Sequence, residues 1–265
     1  MTVVTGANAL FFRCLQQLLL SLPRWQVPGC LVYDLGLSDP QRCDLIRRFP
    51  WIELRIVPNG PEHLRDVGNY AWKPTIMAEV LSQQSEPALW LDSACVVVGS
   101  LEPVIEHVRQ HGLWVPWAGR GPVCEMTHPA TLTALAVESA IERGRFRAGG
   151  VCAFDPARPE VLELVRSWRE LAWCPEILAP PGSHRSNHRY DQTLLTVLLA
   201  RSSLDPSDHE VDISSSHPIS FLRTRNKVDE RIPLALDPWV RAYFWLRRFL
   251  DVAHWKWREL RRNGL

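Results

Sequence analysis

The pattern of apolar and polar positions switches several times between a period of two and a period near four over the first hundred residues. Thr2-Val3-Val4-Thr5-Gly6-Ala7 is a short β-rich run, and the apolar periodicity from about Leu10 to Ser21 predicts a helix. Leu31 to Gly36 predicts a second strand. Ser38-Asp39-Pro40 then marks a helix start over Gln41 to Arg48, because Ser or Asp supplies an N-cap acceptor and Pro a preset φ. Trp51 to Val57 alternates as a third strand, Lys73 to about Gln84 predicts another helix, and Pro87 to Asp92 reads as a buried strand that ends on a carboxylate. Strand and helix alternating at this spacing predict an α/β fold built on an open, mostly parallel sheet flanked by helices.

Composition narrows the function classes. The chain has 265 residues with 46% apolar and 22% charged side chains, enough apolar content to bury a core. Thirty basic against twenty-nine acidic residues give a net charge of +1, which excludes bulk electrostatics as a basis for binding nucleic acid. The seven cysteines are widely spaced, odd in number and contain no CxxC pair, so buried free thiols in a reducing compartment are expected. The N-terminus lacks a basic leader, and Arg13, Gln16 and Gln17 interrupt its apolar stretch, so the expected location is cytoplasmic. No internal repeat or low-complexity linker divides the chain. One domain over 1–236 is expected, followed by a C-terminal segment over 237–265.

Ligands of open α/β sheets gather at the carboxyl ends of the strands. Asp34 and Asp92 both stand at such an end and are site candidates, although a turn or helix-start acceptor would also explain Asp34.

Four motifs follow in order. Tyr70-Ala71-Trp72-Lys73-Pro74 precedes Leu89-Trp90-Leu91-Asp92-Ser93-Ala94, and Phe146-Arg147-Ala148-Gly149-Gly150-Val151 precedes Tyr190-Asp191-Gln192-Thr193. Together they resemble the nucleotide-sugar glycosyltransferases of the GT-A fold, in particular the retaining, glycogenin-like and lipopolysaccharide-galactosyltransferase-like branch. The resemblance implies a single GT-A-like domain with a Rossmann-like sheet. It also implies a nucleotide-sugar donor, uridine-linked in most such families, and a glycan or lipid-linked acceptor. It places Asp191 and Gln192 at the chemistry, Asp191 orienting or deprotonating the acceptor and Gln192 under the anomeric centre. Donor contacts are implied for Thr5, Gly6, Ala7, Lys73, Asp92, Ser93, Arg147, Gly149 and Gly150. Asp191 also reads as an N-cap for a helix over Gln192 to Ala200.

A diphosphate leaving group needs its charge neutralised, by a divalent cation or by positioned Lys and Arg. The family supplies Mn²⁺ or Mg²⁺ ligands as two carboxylates two residues apart, but here Ala94 replaces the second. Asp92 with His217 is the remaining candidate metal pair. Metal-independent action is the other reading: Arg223, Arg225 and Lys227 would share one face of an extended strand and clamp the diphosphate. His188, in the polar Gly182–Arg189 loop, and Trp117 are candidate acceptor contacts, with core packing the competing reading for the tryptophan.

Residues from about Trp239 to Arg262 interleave Trp, Tyr and Phe with seven Lys or Arg. This predicts an amphipathic helix that either lies peripherally on an anionic membrane or packs on the domain. The expectation is therefore a hexosyltransferase, with two alternatives: a catalytically silent sugar- or partner-binding protein of the same fold, and a membrane-surface scaffold.

Overall fold

The computed structural model describes residues 1–211 except Gln26, Pro28, Val98 and His209. The expected 236/237 boundary, the C-terminal helix, His217, Arg223, Arg225 and Lys227 lie outside the described residues.

The strands are β1 (Thr2–Ala7), β2 (Cys30–Asp34), β3 (Ile52–Ile56), β4 (Ala88–Leu91), β5 (Leu113–Trp114), β6 (Trp117–Pro122), β7 (Arg145–Arg147), β8 (Val151–Phe154) and β9 (Glu210–Val211). The helices are α1 (Phe12–Ser21), α2 (Asp39–Arg48), α3 (Trp72–Gln83), α4 (Glu102–His111), α5 (Pro129–Ala134), α6 (Ser139–Glu142), α7 (Pro159–Ala172), α8 (Pro175–Leu178) and α9 (Asp191–Arg201). Six strands form the central sheet in the order β3-β2-β1-β4-β8-β5. The first four are parallel, and β8 runs antiparallel to both β4 and β5.

Alternate residues of each central strand enter opposite cores, as a period of two requires. Val4, Leu31, Tyr33, Trp90 and Phe154 join α3, α7 and α9 on one face; Val3, Val32, Leu89, Leu91 and Ala153 join α1 and α4 on the other. A sheet covered on both faces explains why its strands are nearly continuous apolar runs. The parallel α/β expectation therefore holds over this part of the chain.

One expectation changes in detail. The first helix is preceded by a 3₁₀ turn over Ala9–Phe11, because the Asn8 side chain accepts from the Leu10 N–H at 3.1 Å and tightens the entry. The motif that begins at Phe146 does not form one continuous strand with the residues after it. Its start, β7, pairs with β6 in a separate three-stranded sheet, and its end, β8, enters the central sheet after Ala148-Gly149-Gly150.

Chain order places the site. From β1 the chain steps to β2 and β3 on one side and then returns to β4 on the other. Such a reversal opens a crevice outside the carboxyl ends of the two strands at the switch. Those ends are Ala7 on β1 and Leu91-Asp92 on β4. Among the described residues no helix is long and apolar enough to cross a membrane.

Candidate active site

Lys73 is the organising residue. It is the second residue of α3 and its side chain is only 4% exposed. Its Nζ donates to the Gly149 carbonyl at 2.7 Å and lies 3.0 Å from Asp92 Oδ1 and 3.4 Å from Asp191 Oδ2. The rings of Tyr70, Trp72 and Trp90 surround it at 5.6–5.7 Å, adding cation–π attraction. Burial alone would favour the neutral amine, but the carboxylates of Asp191 and Asp92 outweigh it and raise the lysine pKa, so the ammonium keeps its charge.

Asp92 follows β4 directly and its side chain is about one-third exposed, at 34%. Its Oδ1 accepts from the Trp90 indole N–H at 2.8 Å in addition to facing Lys73. Its backbone N–H donates to the Gly150 carbonyl at 2.9 Å, so the Gly149-Gly150 pair supplies a carbonyl to each member of the Lys73–Asp92 pair. Gly149 has a further reason to be glycine: a Cβ there would sit 2.9 Å from the Gln192 Cβ, closer than side-chain packing allows.

Asp191 opens α9 rather than capping it. Tyr190 holds the N-cap position, with φ 46 and ψ −124, and turns the chain so that the Asp191 side chain points inward. The expected capping role is therefore replaced by the contact with Lys73. At 3.4 Å that contact is an ion pair without hydrogen-bond alignment, and Asp191 Oδ2 has no hydrogen-bond donor. Burial raises the Asp191 pKa to about 6, with Lys73 pulling it down and Asp92 pushing it up. The result is a buried carboxylate poised near neutrality, with one oxygen lacking a donor.

Gln192 has its side chain turned to the backbone of β7, donating from Nε2 to the Arg147 carbonyl at 2.7 Å. The Arg147 guanidinium lies flat on Trp117 at 3.3 Å and donates to the carbonyls of Val115 and Ser207 at 3.1 and 2.5 Å. This pairing commits both side chains, expected at the donor and the acceptor respectively, to locking β6 and β7 to the following chain. His188 is fully buried. Its Nδ1 accepts from the His128 N–H at 3.2 Å and its Nε2 donates to the Leu178 carbonyl at 2.8 Å, an arrangement that requires the neutral ring. Burial lowers its pKa to about 4. Both nitrogens are thus engaged by main chain, and none is left for the acceptor contact expected of it.

Thr5 is fully buried near the end of β1, and its Oγ1 has no partner among the described residues. Gly6 packs against Leu35, where a Cβ would stand 3.1 Å from Cδ1, and Ala7 is buried at the strand end beside the crevice. Ser93 is buried in the turn after Asp92. Asp34 is spent locally: its Oδ1 accepts from the N–H groups of Gly36 and Leu37 at 2.8 and 2.7 Å, and its Oδ2 pairs with Arg42. The turn-acceptor explanation of Asp34 is the one the structure adopts.

Among the described residues no group of three His, Cys, Asp or Glu side chains comes together for a metal. The fit of Mn²⁺ or Mg²⁺ can be judged from the donors present. The described residues bring two carboxylates to the crevice, but Asp191 is buried against Lys73, one oxygen of Asp92 already takes two N–H donors, and the protonated Lys73 ammonium stands 3.0 Å from Asp92. Ala94 contributes no ligand. This donor set does not fit a hard divalent ion, which takes six or more oxygens.

No family model matches the chain, and no curated protein sequence matches it. Solved structures do. Core-mannan synthase A from Aspergillus fumigatus, in a Mn/GDP form, superposes with a TM-score of 0.50 at 9% identity, over 75% of this chain and 68% of its own. The fold is that of the GT-A glycosyltransferases. Also similar are the galactosyltransferase LgtC, solved with donor and acceptor sugar analogues (TM-score 0.49, 14% identity, 80% of this chain and 73% of its own), and a glucose-1-phosphate thymidylyltransferase from Bacillus anthracis (TM-score 0.45, 8% identity, 80% and 86%).

Sequence reasoning singled out Lys73, Asp92 and Asp191, which meet within one cluster, but gave Tyr70 and Tyr190 no role. Both have positive φ, at 65 and 46, and their rings touch at 5.7 Å beside Lys73. The only signal in the sequence was position, since each stands just ahead of a helix that carries a site residue.

Proposed function

We propose that this GT-A-fold protein is a glycosyltransferase that moves a hexose from a nucleoside-diphosphate sugar to a glycan or lipid-linked acceptor. The observation that carries the reading is the convergence of Lys73, Asp92 and Asp191 at the crevice where the strand order of the sheet reverses. Residues from β4, α3 and α9, far apart in sequence, are held there by buried contacts that serve no evident packing purpose.

In this reading the donor nucleotide lies across the ends of β1 and β4, where Thr5, Gly6, Ala7, Asp92 and Ser93 are its neighbours. Lys73 does not reach outward. It fixes the two carboxylates and keeps their combined charge low, so the donor diphosphate meets less repulsion. In the transfer, the bond from the anomeric carbon to the leaving phosphate oxygen breaks and a bond to the acceptor oxygen forms. Asp191 takes the hydrogen bond of the acceptor hydroxyl and then its proton, a step that requires ligand binding to uncover Oδ2, which is closed to solvent in this structure. Gln192 follows on the same helix turn, but its amide is held by the Arg147 carbonyl, so its place under the anomeric centre rests on the motif resemblance alone. Retention of anomeric configuration and a uridine-linked donor rest on the motif resemblance alone. No step runs through a metal, because the described donors do not fit one. The Arg223, Arg225 and Lys227 clamp is the proposed source of charge on the leaving diphosphate. A cytoplasmic location with peripheral membrane contact through 237–265 is proposed from its basic and aromatic composition.

Ala94 favours a second reading, a protein of this fold that binds sugar without turning it over. Hydrolysis of a panel of nucleotide sugars separates the two. Slow release of free nucleotide, abolished in Asp191→Ala, is the expected result. Binding of a nucleotide sugar with no turnover in the presence of any acceptor would favour the silent protein.

A further inference from the structure

Beside the buried ion cluster lies a group of side chains that the donor reading does not use. Tyr70 and Tyr190 are both partly exposed, and their rings meet at 5.7 Å. Tyr70 also packs on Trp72 at 5.9 Å, and Tyr190 on His188 at 4.9 Å. Arg185 is exposed, and its guanidinium rests over the Tyr70 ring at 5.3 Å. It forms no ion pair with a carboxylate among the described residues.

Two features separate this group from ordinary surface packing. Both tyrosines adopt positive φ, and at φ 46, ψ −124 Tyr190 holds a backbone shape in which glycine is the usual residue. Strain of this kind clusters at ligand sites, where surrounding contacts overdetermine it. The charge balance is also uneven. Lys73 is matched by two carboxylates, whereas Arg185 has no carboxylate partner among the described residues. The group is therefore positive and aromatic, with Tyr70 beside Lys73 and Tyr190 next to Asp191 in the chain.

We propose that Tyr70, Tyr190 and Arg185 form the acceptor subsite, and that it takes a pyranose bearing a carboxylate or phosphate group. The C–H face of the sugar lies on the tyrosine rings, which offer a large flat apolar surface at low entropy cost. Arg185 leaves the Tyr70 face to receive the anionic group in a charge-assisted, bidentate contact. The assignment rests on the glycosyltransferase reading above. It replaces His188 and Trp117, whose polar atoms and ring face are engaged inside the domain, with side chains that have exposed surface at the site.

The anion could also come from the donor's diphosphate, so the experiment needs separate arms. Saturation-transfer NMR would be recorded with glucuronate, galacturonate and glucose 6-phosphate, against methyl glucoside and methyl galactoside as neutral probes. UDP and GDP binding would be measured by calorimetry on the same proteins. Tyr70→Asn and Tyr190→Gly remove a ring while admitting positive φ, so they keep the fold where alanine could lose it; circular dichroism and melting confirm this. The expected result is an acidic-sugar signal that falls at least fivefold in Arg185→Ala and in both tyrosine variants, with nucleotide affinity within twofold of the parent. Neutral and acidic sugars giving equal signals would overturn the acidic assignment. Unchanged signals in all three variants would overturn the subsite. Loss of nucleotide affinity in Arg185→Ala, with sugar contact intact, would move Arg185 to the donor and overturn the proposal while leaving the transferase reading in place. A protein that binds neither nucleotide nor sugar would remove both.

Discussion

At the residue scale the site is an electrostatic bargain between one ammonium and two carboxylates. Removing the ammonium while leaving both acids should be severe, because an uncompensated buried charge costs about 3–5 kcal/mol. Lys73→Met is therefore expected to lose that much in chemical denaturation, and Lys73→Met combined with Asp191→Asn to recover a large part of it. Titration gives a second handle. The folded-state pKa of Asp191, about 6, lies above the unfolded value near 3.8, so the folded chain binds that proton more tightly. Its contribution to stability is then fully present below about pH 4, declines as pH rises through about 6 and is constant above that. At about 1.4 kcal/mol per pKa unit, the decline is on the order of 3 kcal/mol. Melting of the parent and of Asp191→Asn across pH 4–8 should show the difference moving toward the variant by that order. A pH-independent difference would mean the carboxylate is not penalised by burial. Strain gives a third test at Tyr190. Glycine ordinarily costs stability relative to alanine, but here Tyr190→Gly should melt above Tyr190→Ala, by about 1–3 kcal/mol of relieved backbone strain.

At the scale of elements, most of the sheet was legible because its strands are short apolar runs bounded by turn residues, and its helices carry start signals. The helix at Asp39 illustrates this: Pro40 lies in its first turn, and the Ser38 N–H donates to the Gln41 side chain at 3.0 Å. The division between β7 and β8 was not legible, since a strand that leaves one sheet for another has the same alternation as one that continues. The glycine pair marked the place without stating the outcome. Its packing consequence is testable. Gly149→Ala puts a methyl 2.9 Å from the Gln192 Cβ and should destabilise by about 1–3 kcal/mol through overpacking against α9. An alanine variant as stable as the parent would show that α9 can shift away. Site residues divide along similar lines. Lys73, Asp92 and Asp191 were legible through the ordered motifs they belong to; position alone does not single them out, since Asp34 at another strand end serves as a turn acceptor. Arg147, Trp117 and His188 misled because their partners are main-chain groups and one another: Arg147 takes the carbonyls of Val115 and Ser207, which no spacing rule reveals.

At the scale of the whole molecule, the GT-A sheet brings the ends of β1 and β4 together, and α3 and α9 deliver their first residues to the same crevice. In the proposed reading the fold supplies the crevice, and Lys73, Asp92 and Asp191 supply its buried charged groups. The reading stands or falls on whether that crevice holds a nucleotide. The direct measurement is thermal unfolding of the full chain in EDTA with UDP, GDP and their hexose conjugates, repeated with Mn²⁺. A ligand at a hundred times its Kd stabilises the native state by about 2.7 kcal/mol. The account predicts such a shift for at least one nucleotide sugar in EDTA, little changed by Mn²⁺ and lost in a folded Asp92→Ala variant. No shift with any nucleotide, with or without the metal, would contradict it.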